Sequence, residues 1–274
     1  MVFADLHTHS TASDGQYCPS ELVALAQKAG AQVMALTDHD TLDGLGEAIE
    51  AGKQSGVRVL RGIELGASEH RNLHILGYGF TDSATSLRRL CKKLQESRDQ
   101  RKYRIIDFLK DKGICISLDE VEEVAGGKVI ARPHFAQVMV RHGYVASNRE
   151  AFDRYLDTDE YQKIERFKAD ARTCIDTIHA DGGKVSWAHP YQVGLNFQDT
   201  EKLARQLADW GIDAMECYYN RHTQEQTDFY CAVADRLSLH RTGGSDFHGE
   251  RVKPDICLTP RLLELGWLLD DCME

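Results

Sequence analysis

The sequence predicts an α/β fold in which strands alternate with helices, and three observations lead to this prediction. Apolar, strand-like runs alternate with helix-length segments over residues 2–79 and again over residues 170–271. The chain has 274 residues, of which 42% are hydrophobic, and this suits one large α/β domain with a substantial core. The interval at residues 113–165 loses the alternation, and we therefore expect a small insertion there.

The first 80 residues are predicted to form four strands and two helices. The first helix has Pro19 and Ser20 at its start and Gly30 at its end, which are typical boundary residues. Strands separated by helices of this length imply parallel pairing. Strands are predicted at residues 2–9, 32–40, 57–66 and 73–79, and helices at residues 19–30 and 41–56.

The middle of the chain is predicted to be helical. Leu87, Leu90 and Leu94 form an apolar stripe at helical spacing within a long helix at 84–112. Residues 113–165, with a turn at Gly126-Gly127, are interpreted as a mainly helical insertion into a barrel formed by residues 1–112 and 166–274. The alternation resumes with helices at 170–181, 199–210 and 222–237, strands at 184–190, 213–219 and 239–248, and a last strand and helix within 255–271.

Charge and composition limit the classes of partner. The net charge of −10 argues against a protein that grips long duplex nucleic acid, because such proteins neutralise phosphates with Lys and Arg. We therefore expect a small molecule or a short oligonucleotide end as substrate. Residues 88–112 carry ten basic and four acidic side chains. A solvated helix face is the favoured explanation, and a guide for anionic substrates is the alternative.

The cellular location is predicted from the absence of membrane-span, secretory-signal and C-x-x-C patterns in the sequence. No stretch reaches the apolar length of a membrane span, and the N-terminal residues do not resemble a secretory signal. The eight cysteines form no C-x-x-C pair, so reduced thiols are expected and a thiolate zinc site is not. We expect a cytoplasmic protein with no membrane association and no obligate protein partner.

Ionisable side chains recur where the predicted strands end. A lone histidine at such a position is usually a hydrogen-bonded residue, and a carboxylate can cap a helix, which is the preferred interpretation for Asp40 and an alternative for Asp14. Burying many such groups together is costly unless something pairs with them, and barrels build their sites at strand ends. Imidazole and carboxylate ligands suit zinc, manganese or iron. The recurring residues are His7, His9, Asp14, His39, Glu64, His74, His189, Asp246 and His248.

Five motifs built on these residues resemble those of the PHP (polymerase and histidinol phosphatase) superfamily. They are D-L-H-T-H-S at 5–10, T-D-H-D at 37–40, G-I-E at 62–64, A-H-P at 188–190 and S-D-F-H at 245–248. The resemblance spans nearly the whole chain. It implies a distorted seven-stranded (β/α) barrel with two or three divalent metal ions and an insertion that covers the active site.

The resemblance also implies a set of ligands for each ion. His7, His9, Glu64 and Asp246 would hold the first ion; Asp14, His39 and His248 the second; and Glu64, His74 and His189 the third, with Glu64 bridging. Several family members have a histidine where this chain has Asp14. The harder oxygen ligand favours manganese, with iron or zinc as alternatives.

The substrate is suggested by the segment I-A-R-P-H-F at 130–135. It resembles the substrate-binding signature of a PHP branch that includes nucleoside 3′,5′-bisphosphate phosphatases and 5′-to-3′ exoribonucleases acting on short RNA. Arg132 would clamp a phosphate, and His134 would bind phosphate or protonate the leaving group. The alternative for both is a helix start with Pro133 in its first turn. Arg221 and His222 are weaker candidates for phosphate contact.

These features predict a metal-dependent phosphoesterase that removes the 3′-phosphate of nucleoside 3′,5′-bisphosphates and also acts on short RNA. The metals would activate water and offset the charge on the phosphoryl oxygens. His248, His134 or a metal-bound water would protonate the leaving group. Two alternatives stay open: a histidinol-phosphate or other small phosphomonoesterase, and a non-catalytic module of a polymerase assembly.

Overall fold

The computed structural model describes residues 1–125, 130, 132–164 and 167–269 of the chain. The chain divides into two compact units, Met1–Cys91 with Lys168–Glu274, and Lys92–Phe167. The predicted turn at Gly126-Gly127 and the last two residues of the predicted C-terminal helix, 270–271, lie outside the described residues. Within the described ranges, no helix combines the length and apolar character needed to cross a bilayer.

The first unit is built on one twisted sheet with eight strands in the described part of the chain. Along the sheet the order is β7-β6-β5-β4-β3-β2-β1-β8. The strands are β1 (Val2–Thr8), β2 (Val33–Leu36), β3 (Arg58–Gly66), β4 (His74–Tyr78), β5 (Lys184–Trp187), β6 (Ala214–Tyr219), β7 (His240–Gly244) and β8 (Arg261–Leu263).

The sheet is nearly closed into a barrel between β1 and the residues that follow β7. Thr8 and Phe247 form a parallel bridge, His9 N–H donates to the Phe247 carbonyl at 2.9 Å, and Asp246 N–H donates to the His7 carbonyl at 2.8 Å. These bonds use only the carboxyl-terminal half of β1. The other half, Val2–Ala4, pairs with β8 in antiparallel register.

Two features differ from the seven strands that the resemblance implies and from the parallel pairing that the alternation predicts. The sheet has eight strands in the described residues, and the eighth, β8, is the last strand predicted within 255–271. It pairs with the amino-terminal half of β1, which has a free edge. Strand β4 runs antiparallel to both β3 and β5. Only residues 67–73 connect β3 to β4, and a parallel crossover needs a dozen or more residues.

Eleven α-helices are present in the described residues. Their starts follow ordinary capping chemistry: the Asn196 side chain accepts the N–H of Asp199, and Thr223 and Gln226 form a capping box. They are α1 (Pro19–Lys28), α2 (Leu45–Ser55), α3 (Thr85–Asp111), α4 (Leu118–Ala125), α5 (Arg132–Arg141), α6 (Asn148–Ala151), α7 (Asp159–Gln162), α8 (Ala171–Ala180), α9 (Phe197–Asp209), α10 (Gln224–Arg236) and α11 (Gly266–Leu269).

The prediction that Asp40 caps a helix is wrong. Helix α2 begins at Leu45 with Gly44 at its N-cap position. The Asp40 N–H donates instead to the Glu64 carbonyl at 3.1 Å, and Asp40 has a left-handed φ of 54°. Because the chain after β2 is held to β3 by this bond, Asp40 lies at the sheet edge rather than at the start of the helix.

Each unit has its own hydrophobic core. In the first unit, buried side chains from neighbouring strands pack together, among them Leu6, Val33, Leu60 and Leu76. The core of the second unit is helical and includes Leu109, Phe135, Met139 and Tyr161.

Candidate metal centre

The nine predicted ligand residues all lie in the first unit, at one edge of its sheet. His9, His39, His189 and His248 follow the carboxyl ends of β1, β2, β5 and β7. His74 instead opens β4, and because β4 is antiparallel, its amino end lies beside the carboxyl end of β3, where His74 pairs with Gly66. The reversed strand thus brings its first residue to the same edge as the ends of the other strands.

Glu64 lies at the centre of this arrangement. Its side chain is fully buried within the carboxyl-terminal half of β3. Five histidines surround its carboxylate. Oε1 lies 2.6 Å from His74 Nδ1 and 3.0 Å from His189 Nε2, and Oε2 lies 3.1 Å from His9 Nε2, 3.2 Å from His39 Nδ1 and 3.3 Å from His7 Nε2.

Two aspartates complete the cluster on either side of His9. Asp14, in the loop after β1, lies 3.3 Å from His248 Nε2 and 3.8 Å from His9 Nδ1. Asp246 Oδ1 lies 3.4 Å from His9 Nε2 and 3.4 Å from His248 Nδ1. Asp14 is the more exposed carboxylate of the two, with 54% of its side chain accessible against 2% for Asp246. It therefore forms the open side of the cluster.

The donor atoms fit divalent metal ions. They form three groups, each with its atoms within 4.8 Å of one another: His7, His9, Glu64 and Asp246; His9, Asp14, His39 and His248; and His39, Glu64 and His74. The first group has the same members as the first predicted ligand set, and the third contains His39 where the resemblance implies His189.

Several of these donor atoms are buried and have no hydrogen-bond partner among the described residues. They are His7 Nε2, both ring nitrogens of His9, Glu64 Oε2 and His189 Nδ1. A buried polar atom without a partner is costly, and a bound cation would supply the missing interaction. Nitrogen and oxygen donors in this combination suit first-row divalent metals.

The cluster shifts the pKa values of its members in opposite directions. Burial disfavours ionisation of Glu64, but His39, His74 and His7 hold the pKa of its carboxyl well below the usual range. Burial lowers the pKa of His39 to about 3, so this imidazole is neutral at pH 7 and ready to bind a cation. Burial also acts on His9, but Asp246 and Glu64 outweigh it and raise its pKa to about 9. A metal ion that binds His9 near neutral pH must displace a proton.

Two ligand candidates have strained backbones. His189 and Asp246 have positive φ angles of 28° and 58°, a region that residues other than glycine rarely adopt. Such conformations persist only where the surrounding structure holds them, and they concentrate at functional sites. In these conformations His189, after β5, places Nε2 3.0 Å from Glu64 Oε1. Asp246, after β7, places Oδ1 3.4 Å from His9 Nε2.

Three supporting residues were not among the predicted site residues. Glu216 on β6 is fully buried and accepts a hydrogen bond from His7 Nδ1 at 3.1 Å. Tyr219 Oη donates to Asp246 Oδ2 at 3.0 Å, and Lys253 Nζ donates to the same oxygen at 2.7 Å. Glu216 had a detectable signal, because an acidic residue inside the apolar run A-M-E-C must be buried. Lys253 lies in a loop, where the sequence carries no such signal.

Arg221 and His222 follow β6 in the first unit and have protein partners. Arg221 pairs with Asp255 at 3.5 Å. The His222 ring lies among Tyr191, Tyr219 and Tyr230, with ring centroids 4.7–5.7 Å away, and burial lowers its pKa. A buried neutral imidazole is poorly suited to phosphate, so the enclosure favours a structural role for His222.

Arg132 and His134 lie in the second unit, at the start of helix α5. The Arg132 Nη1 donates to Asp157 Oδ1 at 3.0 Å and to the Leu156 carbonyl at 3.2 Å. Its guanidinium also lies over the Phe152 ring, 5.4 Å from the centroid. The helix start that was the alternative explanation is therefore present, and it leaves a role in substrate binding open.

Gly244 provides a test of how tightly the centre is packed. A Cβ at this position would lie 2.3 Å from His7 Cβ and 3.0 Å from Glu216 Oε1. We expect Gly244→Ala to destabilise the protein by about 1–3 kcal/mol, because overpacking forces the backbone of β1 or β7 to move. Chemical denaturation measures this change.

The matched control for Gly244→Ala is Gly46→Ala in helix α2, where a Cβ would meet nothing within 4 Å. Alanine there should be neutral or stabilise by roughly 0.4–1 kcal/mol. Equal effects of the two variants would contradict the close packing of Gly244 against His7.

Comparisons with known proteins agree with this geometry. The PHP domain family matches residues 5–164. A 5′-3′ exoribonuclease of Haemophilus influenzae is 36% identical, with 89% of each chain covered. A 3′,5′-nucleoside bisphosphate phosphatase of Chromobacterium violaceum is 30% identical over 90% of this chain and 88% of its own. A Bifidobacterium adolescentis structure described as a metal-dependent phosphoesterase superposes with a TM-score of 0.78 at 27% identity, covering 99% of this chain and 96% of the other.

The family match covers more than half of the chain, and it includes five of the ligand candidates, His7, His9, His39, Glu64 and His74. The relatives extend the similarity to 89–90% of this chain. The divalent metal site at the sheet edge is what the metal-dependent structural relative leads one to expect. The chain therefore belongs to the PHP domain family.

Proposed function

We propose that this protein is a metal-dependent phosphoesterase that hydrolyses the 3′-phosphate of nucleoside 3′,5′-bisphosphates. The observation that carries the proposal is the convergence of six histidines and three carboxylates on one sheet edge, with buried nitrogens that lack hydrogen-bond partners in the described residues. The phosphatase of Chromobacterium violaceum, similar over 90% of this chain, supports the choice of substrate.

In this proposal His7, His9, Asp14, His39, Glu64, His74, His189, Asp246 and His248 hold two or three divalent ions, with manganese favoured and iron or zinc as alternatives. Bound metals supply Lewis acidity toward the phosphoryl oxygens and an activated water. The protein residues do the positioning. Glu64 contacts five histidines from four segments of the chain and holds them around one carboxylate. The exposed Asp14 lies on the side that is open to substrate.

The leaving oxygen requires a proton, and two histidines are candidates for providing it. His248 Nε2 lies 3.3 Å from Asp14 on the open side of the cluster. His134, at the start of helix α5 in the second unit, is the other candidate. Arg132 of the same unit would bind the phosphate that does not react, and Arg221 is a further candidate for phosphate contact.

Short RNA with a 5′-phosphate is a second candidate substrate. The exoribonuclease of Haemophilus influenzae is more similar to this chain than the bisphosphate phosphatase is, at 36% against 30% identity. A ribose with a 5′-phosphate and a 3′-phosphodiester resembles a nucleoside bisphosphate, so one site can accept both. The net charge of −10 argues against long duplexes.

The proposal is tested by comparing kcat/KM of the manganese-loaded protein across phosphoesters. The set contains adenosine 3′,5′-bisphosphate, the two adenosine monophosphates, histidinol phosphate and a short 5′-phosphorylated RNA. We expect the bisphosphate to exceed either monophosphate by at least roughly tenfold, because binding energy from one phosphate positions the other. Histidinol phosphate performing equally well would favour the alternative of a small phosphomonoesterase. No hydrolysis of any phosphoester would favour the non-catalytic module.

Arg132 is tested by Arg132→Ala with Asp157→Ala as its matched control. If Arg132 binds phosphate, its loss should lower kcat/KM for the bisphosphate by about 10- to 150-fold, which corresponds to about 1.5–3 kcal/mol for a charged hydrogen bond. Metal content should stay unchanged. The Asp157→Ala variant breaks the same 3.0 Å ion pair but keeps the guanidinium, and should change kcat/KM little. Similar losses in both variants would mean that Arg132 only stabilises its own unit.

A further inference from the structure

Glu216 is a buried carboxylate that the proposed metal sites do not use. It is 0% exposed in the middle of β6, and none of the three groups of metal-binding candidates contains it. Both of its carboxylate oxygens accept hydrogen bonds from ligand candidates of the metal centre. Oε1 and Oε2 lie 3.1 and 3.3 Å from His7 Nδ1, and Oε2 accepts the backbone N–H of His189 at 2.7 Å. One side chain therefore contacts ligand candidates from two separate parts of the chain.

The contact with His7 determines which ring nitrogen can bind a cation. A carboxylate only accepts hydrogen bonds, so His7 Nδ1 must carry the proton that it shares with Glu216. The other nitrogen, Nε2, is buried without a hydrogen-bond partner and lies 3.3 Å from Glu64 Oε2 and 3.6 Å from Asp246 Oδ1. Glu216 thus directs the free nitrogen of His7 toward the other ligands.

The contact with His189 acts on the backbone. His189 has the left-handed φ of 28°, and its N–H is held by Glu216 while its Nε2 lies 3.0 Å from Glu64 Oε1. The hydrogen bond helps to maintain a conformation that would otherwise be unfavourable. Gly244 leaves the space for this arrangement, since a Cβ there would reach both His7 and Glu216.

We propose that Glu216 is a positioning residue of the metal centre, which orients the His7 ring and the His189 backbone so that both histidines present Nε2 toward Glu64. Glu216 itself does not bind metal. This inference rests on the proposed function only in that it requires the cluster to bind divalent ions.

The test is Mn²⁺ binding to the Glu216→Gln variant, measured by titration calorimetry and elemental analysis. Glutamine has nearly the same size but carries no charge and keeps only one acceptor oxygen. If that oxygen stays on the His189 N–H, the 3.1 Å contact of Oε1 with His7 Nδ1 is lost and only the longer 3.3 Å contact remains. We expect Mn²⁺ affinity to fall by roughly 10- to 100-fold, as is typical when a partner of a metal-binding histidine is removed. Turnover should fall at limiting Mn²⁺ and recover at high Mn²⁺, with KM for the phosphoester unchanged.

The matched control is Asp181→Asn. Asp181 is also a buried carboxylate of the first unit, and it accepts the backbone N–H groups of Ser86 and Leu87. Its substitution should lower stability without changing Mn²⁺ affinity. An unchanged affinity in Glu216→Gln would overturn the proposal. Lost turnover with normal metal binding would also overturn it, because Glu216 would then act on the reaction directly.

A second measurement needs no variant. In the zinc-loaded wild-type protein, which is diamagnetic, ¹⁵N NMR of the histidine rings should show His7 protonated at Nδ1 and metal-bound at Nε2. The opposite tautomer would overturn the proposal. If the protein binds Mn²⁺ as expected but hydrolyses no phosphoester, the proposed function fails while the positioning role of Glu216 stands.

Discussion

Replacing Glu64 by alanine is expected to remove more than one metal ion per chain and to lower turnover by more than roughly 10³-fold. Loss of a single charge-stabilising donor in an active site costs about 10²- to 10³-fold. Glu64 contributes to two of the three groups of donor atoms and contacts five histidines. Without its carboxylate, these five histidines lose the anion that they share. Elemental analysis and phosphate release measure the two effects.

Two variants control for folding in this experiment. Glu64→Gln keeps the side-chain volume but not the charge, and should resemble the alanine variant in metal content. Asp181→Asn removes a buried carboxylate that is not part of the cluster and that accepts the N–H groups of Ser86 and Leu87. This variant should keep full metal content. Full metal content in Glu64→Ala would rule out a bridging role for this residue.

Chelation of the wild-type protein is expected to abolish turnover and to lower stability. A ligand that binds only the native state at 100 times its Kd stabilises by about 2.7 kcal/mol, and this contribution disappears when the metal is removed. The buried Nε2 atoms of His7 and His9 would again lack partners among the described residues. Activity should return on addition of Mn²⁺. Turnover that persists after elemental analysis detects no metal would contradict the proposed chemistry.

The affinity of the metal-free protein for metal is expected to fall as the pH decreases. In the metal-free protein, nearby carboxylates raise the pKa of His9 to about 9, and the pKa of His7 is also raised. A metal binds only the unprotonated imidazole, so protons compete with the metal below these pKa values. Metal affinity should therefore fall by about tenfold per pH unit for each displaced proton as pH decreases below 9. The Tm difference between metal-loaded and metal-free protein should be larger at pH 8.5 than at pH 6.5.

Much of the fold was predictable from local patterns. Each predicted strand of the first unit is present, and helices α1, α8, α9 and α10 lie within a few residues of their predicted bounds. These elements have strong apolar periodicity and clear boundary residues. The direction of β4 was not predictable in this way, because its apolar run is the same in parallel and antiparallel pairing. The length of the connection at 67–73 decides it.

The sequence by itself determined the chemical character of the centre. Histidines and carboxylates follow apolar strands at His7, His9, Glu64 and Asp246, and the spacing of two in H-T-H puts both imidazoles on one side of β1. No local pattern predicts which residues hydrogen-bond to these ligand candidates. Glu216 reaches His7 across 209 residues of chain, and Lys253 reaches Asp246 from a loop. Only the tertiary structure decides these contacts, because closing the sheet brings β6 and the loop after β7 against the end of β1.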